Sequence, residues 1–371
     1  MIDPSGRLGS TPHGPGVNPQ PEEDEDESHS LQVTRRNLVV LAGFLLAALV
    51  ALYFLLPQLA GLDDTWKRIE DGRPEWTAAA LVLTTGMFAG YVAMFRGVFV
   101  HAGSRIGWAA SYEITMAGLA ASRLFAAGGA GGLVLTAWAL RRSGMAKRTV
   151  ADKTIAFLVL TYLPYAIAVM ICGFGLHWGL FRGRDPFSLT FVPAVVALLA
   201  LALALALIPT DLERRLRPLA QRRGRLARLA QRLAAGPAAT SAGVRDALEH
   251  LRSRDPALLG AVLFWGFQIA VLWAAFHAFG EAPPIAVLTL AFFIGMLGNL
   301  LPMPGGVGGV EGGMIGAFAG FGVDGGLAVV AVLVYRAFTF WLPLVPGVFA
   351  YFRLRRTVEG WKRDRTASVG V

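Results

Sequence analysis

The stretch PIAVLTLAFFIGMLGNLLPMPGGVGGVEGGMIGAFAGFG, Pro284 to Gly322, decides the fold. It is apolar throughout, yet nearly twice as long as the ~20 residues that carry a helix across a ~30 Å hydrocarbon core. At its centre Pro302-Met303-Pro304-Gly305-Gly306-Val307-Gly308-Gly309 combines two missing backbone donors with four residues of poor helix propensity. A single continuous span is excluded. The pattern predicts two half-helices joined by a glycine-rich break. Irregular backbone at membrane depth survives only where protein buries it or where it lines a wet cavity.

The rest of the chain has the same character. Of 371 residues, 55% are hydrophobic and 16% charged, with a mean hydropathy of +0.54. Soluble domains hold roughly 45–50% apolar and about 25% charged residues. Apolar blocks fall at about 38–60, 76–100, 108–140, 150–180, 188–209, 257–279, 284–322 and 326–352, separated by short Arg-rich stretches. An ordinary soluble enzyme, a disordered chain and a disulfide scaffold are all excluded. The class is an all-α polytopic membrane protein. The single cysteine, Cys172, lies inside an apolar block and reads as a small core residue.

Charge parity threads the blocks. The net charge of +9 would suggest nucleic acid in a soluble protein, but in a membrane protein it marks cytoplasmic loops. Arg35 and Arg36 precede the first block, Arg96 and Arg105 follow the second, and Arg141, Arg142, Lys147 and Arg148 close the third. The loop 210–256 carries 11 Arg, and Arg353, Arg355 and Arg356 end the last block. All these fall on one side if 108–140, broken at Gly128-Gly129-Ala130-Gly131-Gly132, and 284–322 both enter and return. The expected fold is therefore six full transmembrane helices plus two re-entrant hairpins of opposite orientation, with both termini cytoplasmic in the cell membrane. Arg182 and Arg184 run against this count, as do Lys67, Arg68 and Arg73. At an offset of 177 residues, LFAAGGAGGL (Leu124–Leu133) overlays LPMPGGVGGV (Leu301–Val310), which predicts an inverted repeat.

The domain plan follows. Residues 1–34 form an acidic tail (Glu22 to Glu27) expected to be disordered. Residues 35–356 form the transmembrane domain, and 357–371 a basic cytoplasmic tail. Within the loop 210–256, Leu212, Leu216, Leu219, Leu226 and Leu233 alternate with Arg, as a basic helix on an anionic leaflet or as a plain solvated loop.

The candidate site is NLLPMPGGVGGVEGG. Asn299 and Pro304 flank the break. Gly305, Gly306, Gly308 and Gly309 free successive N–H groups to cradle an anion such as a lipid phosphate at the next helix start. A tight structural turn without a ligand is the alternative. Glu311 suits a capping role at that helix start, or an ion pair with Arg336, the cation inside the last apolar block. Arg336 in turn reads as a phosphate fork or as a purely structural partner. Glu113 and Arg123 form a secondary charged set in the first hairpin. Gly308, Gly312, Gly316 and Gly320 recur every four residues, which predicts a face for close helix packing. Gly86 and Gly90 make a shorter copy.

No P-loop, no H-E-x-x-H and no Cys/His cluster occurs, so no cofactor and no metal are expected. No soluble stretch exceeds the loop 210–256. A non-enzymatic role is expected, with membrane lipids of anionic head group as partners and no nucleic acid. A separate lipid synthase or envelope protein is the alternative partner, which this chain would anchor.

The run LPMPGGVGGVEGG, then Gly322-Val323 and LVYRAFTFWLPLVPG (Leu333–Gly347), resembles the carboxy-terminal signature of the lysylphosphatidylglycerol synthase transmembrane region. This flippase-like family includes the membrane half of the multiple peptide resistance factor. The resemblance implies that the chain binds or moves an anionic aminoacyl- or glycolipid between leaflets. Lysyl transfer in that family belongs to a separate soluble domain, and none is expected here, since the sequence reaches Val371 soon after its last apolar block. The first half departs from the family pattern: the Arg and Glu of its Pro-x-Arg-x-Gly-Glu motif have no counterpart in Ala127 to Gly132.

Overall fold

The computed structural model describes residues 72–100, 104–124, 130–206, 256–301 and 303–369. The first apolar block, the acidic tail and the basic loop therefore lie outside the described residues. Among the described residues every regular element is helical: α1 (Pro74–Phe99), α2 (Trp108–Leu124), α3 (Ala130–Arg142), α4 (Lys147–His177), α5 (Phe191–Ala206), α6 (Pro256–Phe279), α7 (Ile285–Met296), α8 (Gly309–Gly320), α9 (Gly325–Arg336) and α10 (Leu344–Val369). Among the described residues, four segments are long and apolar enough to cross a membrane: Pro74–Phe99, Lys147–His177, Ala257–Phe279 and Gly325–Arg363. Within the span expected at 188–209, the described residues form α5, Phe191–Ala206, and residues 207–209 lie outside the described part. At the carboxy terminus, α10 stays helical across the expected domain boundary at 356 and on to Val369.

The helix pair α1 and α6 forms the spine. Pro74 at the first turn and Glu75 beside it open α1, and Arg96 closes it, in keeping with fixed φ at the start and dipole complementarity at both ends. The two helices run antiparallel. At one end Arg73 donates its backbone N–H to Ala278 O at 2.9 Å, and its guanidinium caps the carbonyls of His277 and Gly280. Trp76 stacks there on His277 and meets Trp273 edge-on. Gly90 lies against Leu263 and the Gly260 carbonyl in the middle, and Gly97 against Ala257 at the other end. Without side chains at Gly90 and Gly260, backbone approaches backbone, which is how helices associate in lipid without a hydrophobic drive.

Two hairpins hang on this spine. In the first, α2 packs on α3, with Gly118 opposite Thr136 and Gly132 opposite Ser122. Ala130, Gly131 and Gly132 belong to α3, so part of the glycine run is helical. In the second, α7 packs on α8, with Gly295 opposite Gly313 and Met314, and Gly298 opposite Gly309. The close-packing face of α8 is therefore Gly309 and Gly313. Among the described residues the expected ridge makes little contact: added Cβ atoms at Gly308, Gly312 and Gly316 would meet open space, while Gly320 meets Leu189. Sequence spacing found a glycine row on α8, but the shift by one residue that selects the contacting row is set by the partner helix.

The hairpins start from opposite ends of the spine. The start of α2 is held at the end of α1, where Arg96 donates to Ser111 Oγ at 3.0 Å and lies 3.9 Å above the Trp108 ring. The start of α7 follows the end of α6, where Gly280 contacts Leu327 of α9. Each pairing in the first half recurs in the second: α1–α2 with α6–α7, α2–α3 with α7–α8, α3–α4 with α8–α9, and α1–α4 with α6–α9. In this pattern α1 and α6 hold corresponding places, and they run antiparallel.

Two of the arginines that run against the charge count, Arg73 and Arg184, have local contacts. Arg73 caps the carbonyl end of α6, and Arg184 covers Gly322, whose φ of +78° ends α8.

The spine contact makes one prediction. A methyl at Gly260 would stand 2.7 Å from Met94 N and 2.8 Å from Gly90 O, atoms that cannot yield without separating the helices. Gly260→Ala is expected to cost about 1–3 kcal/mol. Gly266→Ala on the same helix meets nothing within 4 Å and is expected to be neutral or stabilising by up to about 1 kcal/mol. Thermal unfolding in detergent, compared between the two variants, checks the contrast; equal melting temperatures would refute the contact.

Candidate functional site

The break after α7 is built from a 3₁₀ turn, Leu297–Leu300, and a second short turn, Pro304–Gly306. Gly305 and Gly306 have φ of +59° and +65°, a left-handed conformation that residues with a Cβ rarely adopt. Here it is also demanded by space. A Cβ at Gly305 would strike the Phe340 ring, and one at Gly306 would lie 2.5 Å from Asn299 Oδ1. Asn299 donates its Nδ2 to Met296 O at 3.1 Å, closing the end of α7.

Glu311, in the first turn of α8, is fully buried. Its Oε2 accepts the Gly308 N–H at 2.7 Å, and its Oε1 accepts Arg336 Nε at 2.6 Å. The two roles read from sequence are thus filled at once, by the two oxygens of one carboxylate. Arg336 is 5% exposed, donates Nη2 to Gly305 O at 3.1 Å, and sets its guanidinium 4.2 Å from the Phe340 ring centroid. One ion pair therefore ties the break, the start of α8 and the end of α9 together.

Directly after Arg336 the chain widens into a π turn, Ala337–Trp341, closed by Leu342 N to Ala337 O at 2.9 Å. Such turns are rare and favour functional sites. Arg123, at the end of α2, donates Nη2 to Thr339 O at 2.7 Å and Nη1 to Phe340 O at 3.2 Å. Its guanidinium lies 5.3 Å from the centroid of the ring that Arg336 also faces. The Arg123 carbonyl sits beside Gly305, so the end of α2 meets the break between α7 and α8.

Where they meet, a cavity of about 300 Å³ opens. Both hairpins, both long helices of the spine, α4 and the α9 end line it, through Ser122, Arg123, Thr136, Thr161, Gln268, Asn299, Gly305, Gly306, Arg336 and Thr339 among others. Aromatic rings of Tyr91, Phe157, Tyr162, Trp265 and Phe340 complete the wall. Two guanidinium groups face it, and no carboxylate does among the described residues.

The expected site residues separate into two groups. Asn299, Gly305, Gly306, Arg336 and Arg123 line the cavity, and Pro304 begins the turn beside them. Gly308, Gly309 and Glu311 stand behind it. The Gly308 N–H is already taken by Glu311, and Gly309 abuts Gly298. Glu113 and Arg123 do not form one set. Glu113 accepts from Arg353 Nε at 3.1 Å and Thr357 Oγ1 at 2.7 Å, which fixes α10 along α2. Sequence reasoning missed Gln268, Thr339, Phe340 and the tyrosines. Gln268, whose Oε1 accepts the Tyr335 hydroxyl at 2.8 Å, was legible as a lone amide in the apolar α6. Phe340 carried no signal, because a π turn has none.

Breaking the two pairs should differ in cost. Arg336 and Glu311 have side-chain exposures of 7% and 0%, whereas Arg353 is 72% exposed. Arg336→Met strands a buried carboxylate and is expected to cost about 3–5 kcal/mol. Arg353→Met leaves Glu113, 6% exposed, with the Thr357 hydroxyl still donating to it, and should cost less, about 1–3 kcal/mol. Detergent melting curves showing equal losses would contradict this ordering.

The family model described as the lysylphosphatidylglycerol synthase TM region matches residues 40–347. Relatives from Methanothermobacter thermautotrophicus, each named a UPF0104 membrane protein, match shorter stretches. One is 36% identical over 88 residues, 24% of this chain and 26% of the relative. A second is 32% identical over 87 residues, 23% of this chain and 25% of the relative. A third is 33% identical over 89 residues, 24% and 26%. The chain thus spans about a quarter of the length of these curated relatives. Because the family match extends over most of its length, the chain belongs to the lysylphosphatidylglycerol synthase TM region family of integral membrane proteins.

Proposed function

We propose that this protein binds the head group of an anionic lipid in the cavity between its hairpin tips and moves it between leaflets, without chemistry on the lipid. One observation carries the reading: a cavity walled by aromatic rings, hydroxyls and two guanidinium groups, with no carboxylate among its described walls. Burying net charge in a membrane interior is costly unless a counter-charge arrives, and such residues mark ligand pathways. Broken helices meeting near the centre of an inverted repeat are how secondary transporters hold ligand.

The topology proposed with it is re-entrant. The 12 residues of α7 and the 12 of α8 each reach ~18 Å, about half of the ~30 Å core. Entering from opposite ends of the spine, the two hairpins bring their tips together near the midplane. The Arg-rich end, with Arg96, Arg141, Arg142 and Arg353, is cytoplasmic by charge, and the membrane is the cell membrane.

Two measurements test this. In proteoliposomes, wild-type protein is expected to accelerate exchange of a fluorescent phosphatidylglycerol between leaflets. Glu311→Gln and Arg336→Ala should slow it about tenfold or more, equivalent to ~1.4 kcal/mol. Unchanged rates in both variants would overturn the site. For topology, cysteines are placed at Gly107 and Gly325, both exposed with open space around them, in a Cys172→Ala background. Position 107 should be labelled only from the cytoplasm and position 325 only from outside; labelling from one side alone would overturn the opposed hairpins.

A further inference from the structure

The cavity's charge is not shared equally between its two arginines. Arg336 is neutralised by Glu311 at 2.6 Å, so the pair contributes nothing net. Arg123 has no carboxylate partner among the described residues; its contacts are the Thr339 and Phe340 carbonyls and the Phe340 ring. With Arg123 and Arg336 positive and Glu311 negative, the net charge at the hairpin tips is +1, and it resides on Arg123. A guanidinium has five N–H donors in a fixed fork, and the two carbonyls use two of them. The remaining donors stand in the wall of the cavity.

We infer that Arg123 is the primary anion-binding residue of this cavity, and that Glu311, by neutralising Arg336, sets its selectivity for a phosphodiester monoanion over a phosphomonoester. The inference rests on the proposed lipid-binding function and assigns its ligand class. A phosphodiester carries one negative charge, matching the single uncompensated guanidinium. A monoester carries about 1.5 to 2 near neutral pH and would leave negative charge unpaired in a low-dielectric cavity. The oxygens accept from the free side of the fork, while the carbonyls of the π turn hold the guanidinium in place from behind. The glycine-rich break then shapes the cavity, and its Gly306 and Gly308 N–H groups are spent on Met303 O and Glu311.

Native mass spectrometry of the full chain in detergent, titrated with dioleoylphosphatidylglycerol, dioleoylphosphatidic acid or neutral diacylglycerol, tests the assignment. Wild-type protein should take up one phosphatidylglycerol in preference to the other two. Arg123→Gln should weaken that binding about ten- to a hundredfold, the loss of a charge-assisted bond, whereas Arg123→Lys should retain most of it. Glu311→Gln, with net charge +2, should raise the relative affinity for phosphatidic acid. Deacylated glycerophosphoglycerol as competitor separates sources: displacement at comparable concentration identifies a soluble phosphodiester, and failure to displace identifies the lipid. Should Arg123→Gln fold poorly, phenylglyoxal modification of wild-type protein answers the same question, with Arg123 expected to be protected several-fold by phosphatidylglycerol. Wild-type affinity in Arg123→Gln, or equal modification with and without lipid, overturns the Arg123 assignment and leaves the wider function standing. Absence of any anionic lipid on wild-type protein removes both.

Discussion

The Glu311 carboxylate is the constraint on which the rest of this architecture depends. A helix broken inside a membrane protein exposes N–H and C=O groups that water cannot satisfy, each at a cost of several kcal/mol. Glu311 answers with two oxygens: one caps the Gly308 N–H at the start of α8, and the other fixes Arg336. Arg336 passes the constraint on by donating to the Gly305 carbonyl. The break is thereby closed by side chains from its own hairpin and from α9. A buried ion pair is weak support for stability against an apolar substitute. Its contribution here is geometric, since it fixes where the broken backbone sits.

The same constraint places the second hairpin against the first. Phe340 occupies the space left by the missing side chain of Gly305, and both guanidinium groups lie over its ring. The π turn that carries Phe340 offers its carbonyls to Arg123 from the other half of the molecule. The ends of α2 and α9 and the turn within the second hairpin thus converge on one aromatic ring, carried by the π turn that follows α9. The cavity lies at this convergence, where backbone is irregular and where polar groups from both halves can reach a common ligand.

Much of the frame was legible in residues. Pro302, Pro304 and the glycines between them forbade a continuous helix, and the matching glycine run at 128–132 announced a second break of the same kind. The Glu311–Arg336 pairing was readable because two ionisable groups in apolar blocks need each other. Other features were not. The row Gly308, Gly312, Gly316 and Gly320 has the period of a packing face, but the neighbouring row, Gly309 and Gly313, makes the contact. Spacing along one helix records a face; which face meets a partner depends on the crossing of two helices. Glu113 and Arg123, ten residues apart on one helix, were grouped by proximity in sequence, yet Glu113 serves α10 while Arg123 turns to the cavity.

The sequence by itself determined that this is a helical membrane protein with two interrupted blocks in repeated order, because hydrophobic length, proline and glycine act locally and need no partner. Tertiary structure alone decided that the end of α2 meets the break of the second hairpin, that two arginines face the Phe340 ring, and that Arg123 has no carboxylate beside it in the cavity wall among the described residues. Those facts depend on contacts between residues more than 200 positions apart, such as Arg123 with Thr339 and Phe340. Charge compensation is a property of distances in space, and the chain's linear order does not contain them.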